Sequence, residues 1–298
     1  MNKLSTYIPS LILTVLLVLT TLASSVALLV NNNITADKAY TLTVDKNLGE
    51  VVKSELDKYY YKKYSSSGIP ADVYTRFITA DYISKCEKEC IDQGFYAIEY
   101  NEPLDIHLPK NQHLEDSITS FFEKYASSEG YKIDSNFYKK VDGTINNAYN
   151  SVKNYTDVYK ISALNEHKVL RQLSKLYSVK GILTAVSIGI EVVIILLMLL
   201  INRKSKVTVL YWTGTAGIIA GLAGIIPSCI ILFNRYYDSF SIKQPAVFLA
   251  YTGSMYKFTD GFLASSIAVT VVGLCMLIIY GICHNKDKKQ NVKPTLFK

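Results

Sequence analysis

Four stretches of this 298-residue chain are nearly free of charge, and they constrain its fold more than any other feature. They cover residues 8–30, 181–201, 207–233 and 262–283. Because a helix needs about 20 apolar residues to cross the hydrocarbon core of a bilayer, each stretch is long enough to be a transmembrane helix. The residues between the first two stretches, 31–178, hold most of the charge. We therefore expect an all-α protein with four transmembrane helices and a large helical extracytoplasmic domain between the first and second spans.

The net charge of +7 is distributed unevenly along the chain. Residues 31–178 carry 19 basic and 21 acidic side chains, a net charge of −2, and the rest carry 13 basic and 4 acidic, a net charge of +9. A basic chain can bind nucleic acid, but the excess here lies in short segments beside the apolar stretches. Lys and Arg in such segments determine membrane topology, so we expect the lipid bilayer as a partner and no nucleic acid.

The positive-inside rule predicts the orientation. The short turn 202–206 contains Arg203, Lys204 and Lys206, and the tail 284–298 contains five lysines, whereas residues 234–261 hold only three basic side chains. We therefore expect 1–7, 202–206 and 284–298 to be cytoplasmic. Residues 31–178 and the loop 234–261 are expected outside, in a multi-pass protein of the cell membrane with both termini in the cytoplasm.

The first span has two interpretations. Lys3, the apolar run and the small residues Ala23, Ser25 and Ala27 are typical of a cleavable secretory signal peptide. The run nevertheless continues through residue 30, the full length of a membrane span, which favours an uncleaved signal anchor. Both interpretations place residues 31–178 on the same side of the membrane.

The polar block is predicted to be helical. Asp134 suits the N-cap of a helix whose apolar residues recur at spacings of three and four, as in a coiled coil: Phe137, Val141, Ile145, Ala148, Val152, Tyr155 and Tyr159. A second helical pattern, from Leu164 to Tyr177, runs into the second span without a helix breaker. We expect a continuous helix that passes movement of the outer domain to the membrane, or alternatively a rigid stalk that only builds a bundle core.

Glu191 is the ionisable residue in the middle of the second span. A carboxyl group at that depth is costly unless it faces other helices or a cavity, so Glu191 is a candidate for a proton- or ion-linked role. The structural alternative is an interhelical hydrogen bond to a hydroxyl group in the third or fourth span, for which the candidates are Thr213, Thr215, Ser265 and Thr270.

Small residues and cysteines supply the other candidate sites. Gly214, Gly217, Gly221 and Gly224 follow one another in the third span at spacings of three and four, which lets a neighbouring helix approach closely. Cys86 and Cys90 lie four residues apart, on one face of a predicted helix. They are a candidate disulfide, with inert thiols and a metal site as the alternatives. The histidines lie at no metal-site spacing, so no metal and no cofactor is expected.

The chain contains no motif typical of an enzyme: no glycine-rich phosphate loop, no GxSxG and no HExxH. We therefore do not expect an enzyme.

One span, a large outer domain and then three spans is an order that resembles the permease subunits of cell-division and macrolide-export ABC systems. In that family a longer loop with a coupling element joins the second and third spans, and here the turn 202–206 takes its place. The stretches 210–215 (LYWTGT) and 242–248 (IKQPAVF) are similar to those of uncharacterised four-span membrane proteins of Gram-positive bacteria. That resemblance implies a bacterial cell-membrane protein without an assigned activity.

Two functions are consistent with these patterns. The first is a non-enzymatic integral membrane protein whose outer helical domain binds or senses a membrane or cell-surface protein partner and is coupled to the second span. The alternative is a small transporter or channel component, or an accessory subunit of a membrane complex, that uses Glu191.

Overall fold

A computed structural model describes the backbone from Lys3 to Asn291 and the side chains of residues 6–285. Within the described backbone every regular element is helical and there is no strand. The helices are α1 (Lys3–Asn33), α2 (Ala36–Asp45), α3 (Leu48–Ser67), α4 (Asp72–Thr75), α5 (Ala80–Tyr100), α6 (Gln112–Ser128), α7 (Ser135–Thr156), α8 (Ile161–Glu166), α9 (Val169–Ile201), α10 (Val207–Phe233) and α11 (Pro245–Asn291), with a 3-10 turn at Tyr236–Ser239.

Among the described residues, four helices are long and apolar enough to cross a membrane: α1, α9, α10 and α11. The prediction of an all-α protein with four spans is thereby confirmed. Many of their apolar side chains are exposed, for example Val15, Leu200 and Ile278, of which 55%, 68% and 61% of the surface is accessible. The ends of the predicted cytoplasmic segments, residues 1–2 and 292–298, lie outside the described residues.

The chain divides into two compact units. The apolar unit comprises Met1–Ile34, Val179–Ser239 and Met255–Lys298, and the polar unit comprises Thr35–Ser178 and Phe240–Ser254. The division falls inside α9 and α11, so each of these helices begins in the polar unit and continues in the apolar unit.

The polar unit is a helical bundle with one main core. Leu56 of α3, Ile83 of α5, Ile118 of α6 and Val152 of α7 are all inaccessible to solvent and belong to the same cluster. Burial of each such side chain contributes about 1.5–3 kcal/mol, which offsets the entropy lost in ordering the helices.

Side-chain caps determine where several of these helices begin. Thr79 accepts a hydrogen bond from the Tyr82 N–H at 3.2 Å, and Asp134 accepts from the N–H groups of Asn136 and Phe137 at 3.0 and 3.1 Å. These contacts satisfy N–H groups that have no acceptor within the first turn. The predicted N-cap at Asp134 is confirmed.

The helix predicted to continue from Asp134 into the second span is interrupted, so that prediction is wrong. α7 ends at Thr156, and Tyr159, placed by the sequence on the helical seam, lies in the turn that follows. Asp157 then caps the short helix α8, and a second break follows at Lys168, whose φ of +59° is left-handed. The helix that reaches the second span begins at Val169.

The segment predicted as the loop 234–261 is also different, because α11 already begins at Pro245. Proline suits the first position of a helix, since its fixed φ is helical and its missing N–H has no partner there. Desolvation raises the pKa of the Glu55 carboxyl group, and the Ala246 N–H in the first turn of α11 opposes that shift. The aromatic residues of this segment from Phe248 to Phe258 therefore belong to the first turns of a helix that extends through the fourth span.

Candidate functional site

Glu191 lies on the face of α9 that contacts α1. Thr184 and Met198 are seven residues before and after it, which places all three on one side of the helix. The Thr184 hydroxyl donates to the Ala27 carbonyl of α1 at 3.3 Å, and Met198 is fully buried in a cluster with Leu17 of α1. The Glu191 Oε1 atom is buried and has no hydrogen-bond partner among the described residues.

Three of the four hydroxyl groups proposed as partners of Glu191 bond elsewhere, and no bond joins the fourth, Ser265, to Glu191 among the described residues. Thr213 and Thr215 of α10 donate to carbonyls of their own helix at 2.8 Å, and Thr270 of α11 does the same at 2.9 Å. A buried polar group without a partner is costly and rare in native structures. The orphaned oxygen is therefore the observation that keeps a role for Glu191 open.

The four glycines of α10 lie where that helix meets α11. A Cβ atom on Gly214 would lie 2.9 Å from the Gly273 carbonyl oxygen, and one on Gly217 would lie 3.3 Å from the Gly273 Cα. At Gly221 and Gly224 it would collide with the side chains of Thr270 and Ser266, respectively. Small residues on both helices let the two backbones approach closely, as the spacing in the third span indicates.

Cys86 and Cys90 are free thiols in this structure and are buried on the core-facing side of α5. Their sulfur atoms have different neighbours: the Cys86 thiol interacts with Tyr82, and the Cys90 sulfur lies 3.6 Å from the Thr156 hydroxyl oxygen. Burial raises the pKa of each thiol to about 12, which suppresses the reactive thiolate. This arrangement is typical of inert structural thiols, and the disulfide stays a prediction.

Glu87 is a buried acid that the sequence analysis did not single out. Its side chain is 1% exposed in α5, between the two cysteines, and its Oε1 atom has no partner among the described residues. Desolvation raises the pKa of this carboxyl group to about 8, so it is held as the neutral acid near neutral pH. The spacing in the sequence could have indicated its burial, because Glu87 lies four residues from both Ile83 and Ile91, on the apolar face of α5.

The described part of the chain contains no cluster of side chains that could form a metal site. Among residues 6–285, no three His, Cys, Asp or Glu side chains come together as a metal site would require. His107 pairs with Asp105 at 2.8 Å on the surface, and both side chains are about three-quarters exposed.

Comparison with protein-family models, with curated proteins and with solved structures found no match to this chain. The resemblances noted from the sequence therefore stay expectations. The four apolar helices support a multi-pass membrane protein in a lipid bilayer.

Proposed function

We propose that this chain is a non-enzymatic receptor-like protein of the bacterial cell membrane, whose polar unit lies outside the cell and binds or senses a surface partner. One observation carries this proposal: α9 is a single helix from Val169 in the polar unit to Ile201 at the end of a candidate span. A change at the first turn of α9 is thus connected through regular hydrogen-bonded backbone to the membrane. α11 provides a second connection of the same kind.

The distribution of charge supports the outer location of the polar unit. Arg203, Lys204 and Lys206 lie in the short turn between α9 and α10, and a polar unit without a basic excess suits the opposite side. The test is labelling with a membrane-impermeant maleimide in a background where alanine replaces Cys229, Cys275 and Cys283. Ser128→Cys should react in intact cells and Lys204→Cys only after permeabilisation. The reverse pattern would place the polar unit inside and exclude the proposal.

Breaking α9 between the units tests the coupling. Ser178 is exposed, and in a regular helix its N–H donates to the carbonyl four residues earlier, so Ser178→Pro removes a hydrogen bond and adds a steric clash worth about 3 kcal/mol. We expect the variant to insert in the membrane normally but to behave as the deletion strain. Ser178→Ala is the matched control. Wild-type behaviour of both variants would show that movement is not passed along α9.

A second function, a proton- or ion-linked transport component, is favoured by the orphaned oxygen of Glu191. Glu191→Gln keeps the shape of the side chain and removes its titratable group. In proteoliposomes, the transport proposal predicts that this variant loses proton or ion flux that the wild type shows. Equal flux for the two proteins would remove this second function and leave the first untouched.

A further inference from the structure

A cleft of about 290 Å³ opens in the polar unit at the beginning of α9. Four segments form it: the end of α5, residues 101–103, the end of α8 and the first turns of α9. Ala97 and Leu170 line it and are 3% and 4% exposed, so its floor is apolar and well packed. Pockets for drug-sized molecules start at about 300 Å³, and a cleft of this size suits a smaller metabolite.

The polar lining of the cleft contains one base, one acid, two amides and one hydroxyl, contributed by Arg171, Glu102, Asn101, Asn165 and Ser174. None of these side chains forms a hydrogen bond or an ion pair with another described residue. Surface side chains are often free, but Ser174 is only 4% exposed. Its hydroxyl opens into the cleft and bonds with no other described residue, so it is free to hydrogen-bond a molecule held there.

The chemistry of this lining matches a zwitterion. Arg171 can bind a carboxylate, and the first turn of α9 adds N–H groups without acceptors within the helix and the positive end of the helix dipole. Glu102 can bind an ammonium group, and the asparagines and Ser174 offer neutral donors and acceptors. None of the described residues that line the cleft is aromatic, so a nucleobase or a sugar ring would have no face to stack on.

We propose that this cleft binds a free amino acid, with its α-carboxylate on Arg171 and its α-ammonium on Glu102. The inference deepens the proposed function, because it assigns a ligand class to the polar unit at the first turn of the helix that enters the second span. The amino-acid side chain then lies on the apolar floor formed by Ala97 and Leu170.

Binding is tested with the full-length protein in nanodiscs and the proteinogenic L-amino acids, each titrated singly by calorimetry. We expect saturable binding of at least one of them. Its N-acetyl derivative and its carboxamide should each bind about tenfold more weakly, because each lacks one charged contact of the pair. Absence of binding by every amino acid would overturn the proposal, and so would equal affinity for the free and both blocked forms.

Two variants assign the contacts. Arg171→Gln should weaken binding of the free amino acid about tenfold or more and leave the affinity for the carboxamide unchanged. Glu102→Gln should likewise weaken binding of the free amino acid and leave the affinity for the N-acetyl derivative unchanged. Lys175→Gln is the control, an exposed cation in α9 outside the cleft. Circular dichroism verifies that each variant is folded. If neither Arg171→Gln nor Glu102→Gln alters affinity, the amino acid binds elsewhere and the assignment is wrong.

Two results separate this inference from the proposed function: amino-acid binding by the wild-type protein, and the behaviour of Ser178→Pro in cells. Binding is measured on the wild type because proline at 178 would disturb the carbonyl of Ser174, which lines the cleft. Normal binding together with wild-type behaviour in cells would refute the coupling and keep the cleft. Loss of cellular function without amino-acid binding by the wild type would refute the cleft and keep the coupling.

Discussion

Glu87 allows a quantitative test of the polar unit, because the structure predicts that its stability depends on pH through one buried carboxyl group. The native pKa is about 8, and the ordinary value in an unfolded chain is 4.5. Between these two values the folded state holds a proton that the unfolded state has lost. The contribution of Glu87 to the free energy of unfolding is therefore fully present below about pH 4.5 and falls as the pH rises toward 8.

The size of the effect follows from the shift. One pKa unit corresponds to about 1.4 kcal/mol, so between about pH 5 and about pH 7.5 Glu87 removes about 3 kcal/mol from the free energy of unfolding. Glu87→Gln replaces the neutral acid by a neutral amide of the same shape. The amide itself costs something, since its NH₂ group is buried without a known acceptor. That cost does not depend on pH, so the informative quantity is the change in the difference between variant and wild type across the pH range.

Thermal unfolding of the full-length protein in detergent, followed by the near-ultraviolet circular dichroism of tyrosine, measures this difference. The signal reports mainly on the polar unit, because 16 of the 23 tyrosines lie between residues 31 and 178. For a unit of this size we expect the melting temperature of Glu87→Gln, relative to wild type, to rise by about 9 °C from about pH 5 to about pH 7.5. Glu99→Gln, an exposed acid in the same helix, should follow the wild type. Parallel curves for Glu87→Gln and wild type would refute a neutral Glu87.

Two further predictions concern packing and thiols. Gly221→Ala places a methyl group against the side chain and backbone of Thr270. Because backbone atoms cannot easily move aside, we expect about 1–3 kcal/mol of destabilisation in thermal unfolding. In the control Gly281→Ala, the added methyl group meets nothing within 4 Å, so stability should be unchanged. A neutral Gly221→Ala would show that α10 and α11 do not pack as described. Cys86 and Cys90 should resist a maleimide at about pH 8 in the native protein, since burial raises the pKa of both thiols, and each should take up one label after unfolding without reductant, as measured by mass spectrometry. Failure to take up label in denaturant would instead indicate the disulfide.

The four spans could be predicted from the sequence because their cause is local. An uncharged run long enough to cross a bilayer must satisfy its own backbone hydrogen bonds, and only a helix does so within one segment. The N-cap at Asp134 is predictable for the same reason, since the capping side chain and the N–H groups that it accepts from lie within three residues of one another.

The breaks before α9 were missed because no glycine or proline marks them. Lys160 and Lys168 adopt left-handed backbone conformations with φ of +51° and +59°, which sequence patterns rarely assign to lysine. The available signal was Asp157, whose two carboxylate oxygens accept from the N–H groups of Ile161 and Ser162 at 2.8 Å and start a new helix. Apolar residues at helical spacing on both sides of the turn concealed this cap.

The start of α11 was missed although Pro245 is a helix-start signal. The fourth span was predicted from hydropathy, which identifies the membrane-length core of a helix and ignores polar or aromatic turns that precede it. Those turns are stabilised by tertiary contacts. Ala246 and Ala250 are fully buried in the main core of the polar unit, and Gly253 lies against Leu42 of α2. A segment that a membrane scan treats as a loop is thus held as helix by residues distant in sequence.

Glu191 shows the same limit for a single side chain. The spacing of Thr184, Glu191 and Met198 determines which face of α9 the carboxyl group shares, but not which helix covers that face. The sequence suggested hydroxyl groups of α10 and α11 as partners for Glu191. The hydrogen bonds of Thr184 and Asn202 instead place α1 along this face. They pair with Ala27 and Ser10, so Glu191 lies opposite the stretch of α1 between those residues. We therefore expect substitutions in α1 between Ser10 and Ala27 to change the environment of this carboxyl group, and substitutions of Thr213, Thr215 and Thr270 to leave it unaffected.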